Sequence, residues 1–465
     1  MTPAGLQRTL STVEYFTFGF GTMVGVGWVV LMDDWLRRGG PAGAMLGFLV
    51  GGLLLTPVAL TYGRLVRRIP DAGSEVAYAE AVFPPFLGFA AGWTMVLAYA
   101  IVCPWEAVAS GNLLARVFPS LSSHPLYSVA GSTIYAPRLL VGLLLTALVT
   151  ALNYRGVRLS AAFQNTLTFA LLALFAAFTL AGFARGDSAN LAPAFAHPGA
   201  GGAALSTLLV LQIVPYFMTG FESVGKGSEE ARAGFDPRGF SRAILLALGV
   251  GAGFYVVIVA VVAFVFPWQH LVAGRLGSEA AFASAFGSRA MANVILLAAF
   301  LSLLKIFNGN FLAATRLVFA LGRRGLVSPV LGTVHETFRT PTVAVALVAA
   351  FTASASFLGD AVLVPVTEVG SLAVGAGWLS ACAAYLLRAR RGEEATGTTS
   401  AWIGAAVGVA IILMKTLPGL PGSFTSHEWI AFAAWTGLGL ALWWRRDRRG
   451  PGGAAPRGDS TPGLG

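Results

Sequence analysis

Residues 14–37 read EYFTFGFGTMVGVGWVVLMDDWLR, an apolar stretch of membrane-crossing length with Gly19, Gly21, Gly25 and Gly27 inside it. Each glycine costs about 1 kcal/mol of helix propensity relative to alanine, so a helix that only anchors a protein would not gather four of them near mid-membrane. Backbone that unwinds in a bilayer is tolerated only where protein buries it or where it lines a cavity. An interrupted span of this kind is the best sequence pointer to a transporter binding site.

The remainder of the chain is built for the same solvent. It is 56% hydrophobic and 11% charged, with a mean hydropathy of +0.73, whereas soluble domains run near 25% charged. Windows of about 20 apolar residues, enough to cross a hydrocarbon core of about 30 Å, recur roughly twelve times between 14–37 and 428–444. The runs are continuous rather than alternating, so membrane strands are not expected. The net charge of +10 would suggest nucleic acid in a soluble protein. Here it follows topology: with an inside N-terminus, 22 Lys and Arg fall on the cytoplasmic side and seven on the other, with Lys305 and Lys415 inside spans. The positive-inside rule then places both termini in the cytoplasm of a multi-pass plasma (inner) membrane protein. The first apolar segment is too long for a cleavable signal and lacks a small-residue cleavage site.

A second interrupted stretch lies at 210–228, VLQIVPYFMTGFESVGKGS, where Pro215, Gly220, Gly225 and Gly227 are expected to break the helix around Glu222. It is the sixth span, five after the first. A five-span offset reverses membrane orientation, and broken helices at matching positions are what an inverted-repeat transporter shows.

At this point the chain resembles the amino acid–polyamine–organocation (APC) family of secondary transporters. Gly21-Thr22-Met23-Val24-Gly25-Val26-Gly27 is similar to the family's first-helix motif, with Trp28 where isoleucine is usual. Ile69-Pro70-Asp71-Ala72-Gly73-Ser74 resembles the loop after span 2, Gly220-Phe221-Glu222 with Ser228-Glu229-Glu230 the sixth helix and its exit, and Ala314-Thr315-Arg316 through Thr340-Pro341 the stretch after span 8. The resemblance implies an all-α integral membrane protein of about 12 transmembrane helices. Its fold would be a LeuT-type 5+5 inverted repeat with discontinuous helices 1 and 6 and two extra helices. The expected parts are a cytoplasmic N-terminus at 1–12, a first repeat at 13–184, a second at 205–388, two further helices at 399–445, and a disordered basic, Gly/Pro-rich cytoplasmic tail at 446–465.

Gly25, Val26 and Gly27 are expected to free backbone N–H groups that hold a substrate carboxylate with the help of the helix dipole; the competing reading is close helix packing through Gly21 and Gly25. Thr219, Gly220 and Phe221 are the partner site, where freed carbonyls suit a substrate ammonium, and the resemblance makes Tyr216 a gating aromatic. Glu222 either titrates and couples protons or anchors the broken helix by hydrogen bonds. Glu106, in Cys103-Pro104-Trp105-Glu106, falls about 15 Å deep on a span that lines the cavity in the family. It pairs either with a substrate amine or with Lys305 or Lys415. Cys103 and Asn310 complete the expected lining. Lys305 lies on a span that, in the family, runs close to where sodium-coupled relatives bind sodium. It either replaces that ion or pairs with Glu106 or Glu222. The family's frequent span-5 lysine is missing, its place being near Leu171. Asp33 and Asp34 are expected to pair with Arg37 and Arg38.

These features imply an amino acid permease working by alternating access, sodium-independent and proton-coupled or exchanging. The alternative is a carrier of amines lacking a carboxylate, and Glu106 and Trp28 favour it. The five histidines show no metal-ligand spacing and no nucleophile–base set is visible, so neither metal, cofactor nor enzymatic activity is expected. No filter-like repeat suggests a channel. The expected partners are the small amino acid or amine, protons and membrane lipids, with no nucleic acid and with the oligomeric state open.

Overall fold

The computed structural model describes residues 5–275, 277–394, 396–420 and 422–446, leaving aside the side chains of 361–367. Almost all of the tail expected at 446–465 lies outside the described residues. Nine of the described helices are long and apolar enough to cross a membrane, and the bent pair Gly202–Leu211 with Val214–Glu230 makes a tenth. Thr342–Ser356, of 15 residues, and Ser426–Arg445 complete the expected series of twelve. Helices carry all of the spans; a two-stranded antiparallel hairpin, Pro125–Val129 with Ser132–Tyr135, lies in the loop before span 4. This arrangement, broken in its first and sixth spans, is consistent with the LeuT-type fold.

The first span begins at a capping box in which Ser11 and Glu14 satisfy each other's backbone N–H. Helix runs over Thr12–Met23, stops, and resumes at Gly27–Val30. Only Gly25 and Gly27 flank the break. Gly19 and Gly21 stay helical and serve close packing, since a Cβ on Gly21 would lie 1.8 Å from Gln164 Nε2. A kink at Leu31 leads into Met32–Arg68, which carries the first span's outer half and the whole of span 2. The corner between them is Gly40, with φ +62° and ψ 179°, a conformation open to glycine and little else. Span 3 is also interrupted, between Pro85–Ala100 and Val102–Val117, because Pro104 lacks an N–H and its ring crowds the carbonyl four residues back.

In the sixth span the break falls at Met218–Gly220, after the short helix Val214–Phe217 that Pro215 opens. Gly220 has φ +133°, and a Cβ there would meet the Met23 nitrogen at 2.6 Å. The two broken spans therefore touch backbone to backbone. Beyond the break, Phe221–Glu230 winds as a 3₁₀ helix of ten residues, long for a form that rarely exceeds three or four residues. Gly225 and Gly227, expected as breakers, are carried inside it.

Two fully buried ion pairs hold that 3₁₀ segment. Lys226 Nζ lies 2.6 Å from Glu75 Oε1, and Arg316 grips Glu230 with two bonds of 2.7 and 3.2 Å. Lys226 and Arg316, counted above among the cytoplasmic charges, are thus interior residues at 0% exposure. Around them Arg324 binds Asp71 and Glu80 at 2.6 and 2.9 Å, and Arg323 reaches Asp71 at 3.2 Å and also holds Glu229. Residues 9–10 pair with 230–232 in strand-like fashion. These contacts gather at the basic end of the bundle.

Two stability outcomes follow. Gly220→Ala is expected to lose at least about 1–3 kcal/mol from strained backbone alone, seen as a lower melting temperature in detergent. Gly249→Ala, with open space around it, serves as the unaffected control. Lys226→Met alone should cost about 3–5 kcal/mol by stranding a buried carboxylate, while Lys226→Met with Glu75→Gln should recover most of that; equal losses for both would show that the ion pair does not hold the segment.

Candidate substrate site

The two breaks face one small cavity of about 50 Å³. Gly25, Val26 and Gly27 line it from span 1, Glu106 from span 3, Tyr216 and Thr219 from span 6, and Asn310 from span 8, the helix Arg289–Arg323. All were singled out from sequence. Thr22 and Leu31, Val102 and Trp105, Phe217, Ile306, and Gly370 with Val374 of span 10 also line it and were not. Trp105 was within reach, being next to Glu106 and one helical position from it. Span 10 carries no motif that would have drawn attention to Gly370 or Val374.

Cys103, Gly220, Phe221, Glu222 and Lys305 stand behind this lining. The Cys103 thiol points 3.6 Å from the Tyr99 carbonyl, and Phe221 stacks on Trp378 with ring centroids 5.6 Å apart. The Gly220 carbonyl, expected to be free, accepts the Ser223 N–H at 3.0 Å. Glu222 accepts from Tyr99 Oη at 2.8 Å and from the Gly220 N–H at 3.0 Å. Its carboxylate fastens the sixth-span break to span 3, which is the anchoring arrangement weighed above.

Lys305 forms no ion pair with Glu106 or Glu222. Its ammonium donates to the Gly21 carbonyl at 3.1 Å and the Val24 carbonyl at 2.5 Å, and lies 5.2 Å from the Phe20 ring centroid. Ser302 Oγ also donates to the Val24 carbonyl, at 3.1 Å, and Tyr255 Oη to the Met23 carbonyl at 3.3 Å. These carbonyls end the first half-helix, where the dipole is negative and a cation is favoured. A fixed ammonium thus meets the released backbone carbonyls.

Glu106 is 2% exposed, and its Oε2 has no hydrogen-bond partner among the described residues. The pairings considered for it are not found: Lys305 is turned to span 1, and Lys415 pairs with Glu368. Farther out, Arg37 and Arg38 bind Asp34 at 2.9 and 2.7 Å, as expected. Ser278 Oγ donates to the Trp28 carbonyl at 2.5 Å, tying the loop before span 8 over the outer half-helix.

The sequence pattern of the amino acid permease family matches residues 10–441. The chain is 27% identical over 96% of its length to the methylthioribose transporter of Bacillus subtilis, covering 94% of that protein. It is 26% identical to the amino-acid permease RocE of the same organism, over 71% of this chain and 69% of RocE. With the branched-chain amino acid permease BcaP, also from Bacillus subtilis, it shares 25% identity over 90% of this chain and 83% of BcaP. The family match spans nearly the whole chain, breaks and cavity included: the protein belongs to the amino acid permease family, and is a multi-pass membrane transporter of amino acids or similar organic substrates rather than an enzyme.

Proposed function

We propose that the protein is a sodium-independent secondary transporter that moves a small organic molecule bearing an amino group by alternating access, driven by protons or by exchange. Support comes first from Lys305: its ammonium already bonds the Gly21 and Val24 carbonyls, which leaves those oxygens no need of a metal ion. The cavity between the breaks would hold the cargo, with the N–H groups of residues 25–27, Thr219 and Asn310 as polar contacts and Tyr216 as the aromatic closing it. Glu222 would keep the sixth-span break in register rather than carry cargo.

The charge asymmetry of 22 against seven supports cytoplasmic termini. The ion pairs of Glu230 and Glu75 would then form the closed cytoplasmic end, so that the cavity belongs to a state sealed on the inside. Residues 13–184 and 205–388 would be the two inverted halves that rock against each other. The relatives carry different cargoes by name. A methylthioribose transporter handles a compound with neither amine nor carboxylate, so similarity at this level leaves an α-amino acid as one option and a carboxylate-free compound as another.

The test is uptake of a radiolabelled panel of amino acids and their decarboxylated amines into proteoliposomes. Saturable uptake should be unchanged when sodium is replaced by potassium, and should rise with an inward proton gradient or with preloaded cargo. Lys305→Ala should reduce it at least about tenfold, the price of roughly 1.4 kcal/mol. Uptake that requires sodium in the unaltered protein would sink the proposal.

A further inference from the structure

Glu106 is the only charged side chain among the residues lining the cavity, and the described protein supplies no donor to its Oε2. What sets it apart from the carboxylates beside the two breaks is that no hydrogen bond reaches either of its oxygens among the described residues, whereas Glu75, which also leaves its Oε2 unpaired, has its Oε1 held. Glu222 has Tyr99 and the Gly220 N–H, Glu230 has Arg316, and Glu75 has Lys226 and Tyr62. A carboxyl group removed from water and left unpaired is costly, so a chain that keeps one in the wall of its cargo cavity leaves its partner to be brought by the cargo. Lys305 is near enough for its charge to be felt at Glu106, but it makes no ion pair or hydrogen bond with it, because its ammonium donates to the Gly21 and Val24 carbonyls.

Glu106 also bears on what else the cargo can carry. A Cβ placed on Gly25 would lie 3.9 Å from Glu106 Oε1, so the side chain reaches the same turn whose N–H groups would hold a substrate carboxylate. An ionised Glu106 about 4 Å from a substrate carboxylate would, at an effective dielectric constant of about 20, weaken binding on the order of 1,000-fold. An ammonium in the same place is attracted by a similar factor. The rest of the wall is apolar or aromatic, with Val102, Trp105, Phe217, Ile306 and Val374.

We propose that Glu106 is the counter-charge for a small amine with an apolar body and no carboxylate. This rests on the transport reading above and narrows its cargo.

The purified full-length protein would be tested for thermal stabilisation and calorimetric binding with three pairs: isoamylamine against leucine, phenethylamine against phenylalanine, and agmatine against arginine. The expected result is that at least one amine binds and its amino acid binds at least about 100-fold more weakly. Glu106→Gln should weaken the amine about 10- to 100-fold, and Glu106→Asp should retain more of the affinity than Glu106→Gln. Should the Gln variant not fold, the wild-type contrast within each pair and the Asp variant still decide. Amino acids binding as well as or better than their amines, or amine affinity untouched in Glu106→Gln, overturns the assignment. Sodium-independent uptake of an amino acid in the proteoliposome assay would then leave the transport reading standing while this one falls. Absence of saturable uptake for both members of every pair would remove both.

Discussion

Three carbonyl oxygens in mid-membrane set the terms for this molecule. Where helix stops at Met23, the carbonyls of Gly21, Met23 and Val24 lose partners they would have had in a continuous span, and hydrocarbon offers none. Lys305 and Ser302 of span 8 and Tyr255 of span 7 supply the donors. The interaction is reciprocal. The ammonium is 0% exposed and could not be kept there without those oxygens and the negative end of the half-helix dipole. Span 1 is free to open a cavity because two other spans hold its broken end.

The sixth span meets the same problem with a different chemistry. Its break exposes an N–H at Gly220, and a carboxylate, Glu222, accepts it while taking a second bond from Tyr99. Below that point the helix narrows to 3₁₀, and its side chains at 222, 226 and 230 are all buried and all polar. Each finds its partner on a different element: span 3, the loop after span 2, and span 8. A segment held by such discrete pairs has alternatives available when the pairs exchange, which a close-packed apolar helix lacks. The geometry ties the sixth-span break beside the cavity to the ion pairs at the basic end through a single short piece of chain.

The sequence made the broken spans and seven of the residues lining the cavity legible because both rest on local signals. Clustered glycines in an apolar window have few readings, and a five-span offset between two such windows has fewer. Asp34 with Arg37 and Arg38 was legible by helical spacing. The partner of Lys226 was not, because Glu75 is 151 residues away and belongs to a short loop helix with no periodic pattern. Lys226 and Arg316 were counted among the cytoplasmic-side charges for the same reason: proximity to a basic loop is visible in a sequence, burial by a distant carboxylate is not. The Pro125–Tyr135 hairpin escaped notice beneath a composition dominated by spans.

Glu106 shows where reading a sequence and reading a structure part company. Depth along span 3 is a matter of counting residues at 1.5 Å each, so its place near mid-membrane could be foreseen. The two lysines inside spans were then the obvious candidates to neutralise it. Each turns out to have a partner of its own, Lys305 the span-1 carbonyls and Lys415 the carboxylate of Glu368. Which of several interior charges pair is decided by helix rotation and crossing, to which residue counts are blind. The outcome matters for function because a charge satisfied within the protein is architecture, whereas one left open toward a cavity specifies the chemistry of what can fill it. The backbone breaks of span 1 and span 6 are bonded through neighbours, and span 3 holds its open carboxylate beside the same cavity.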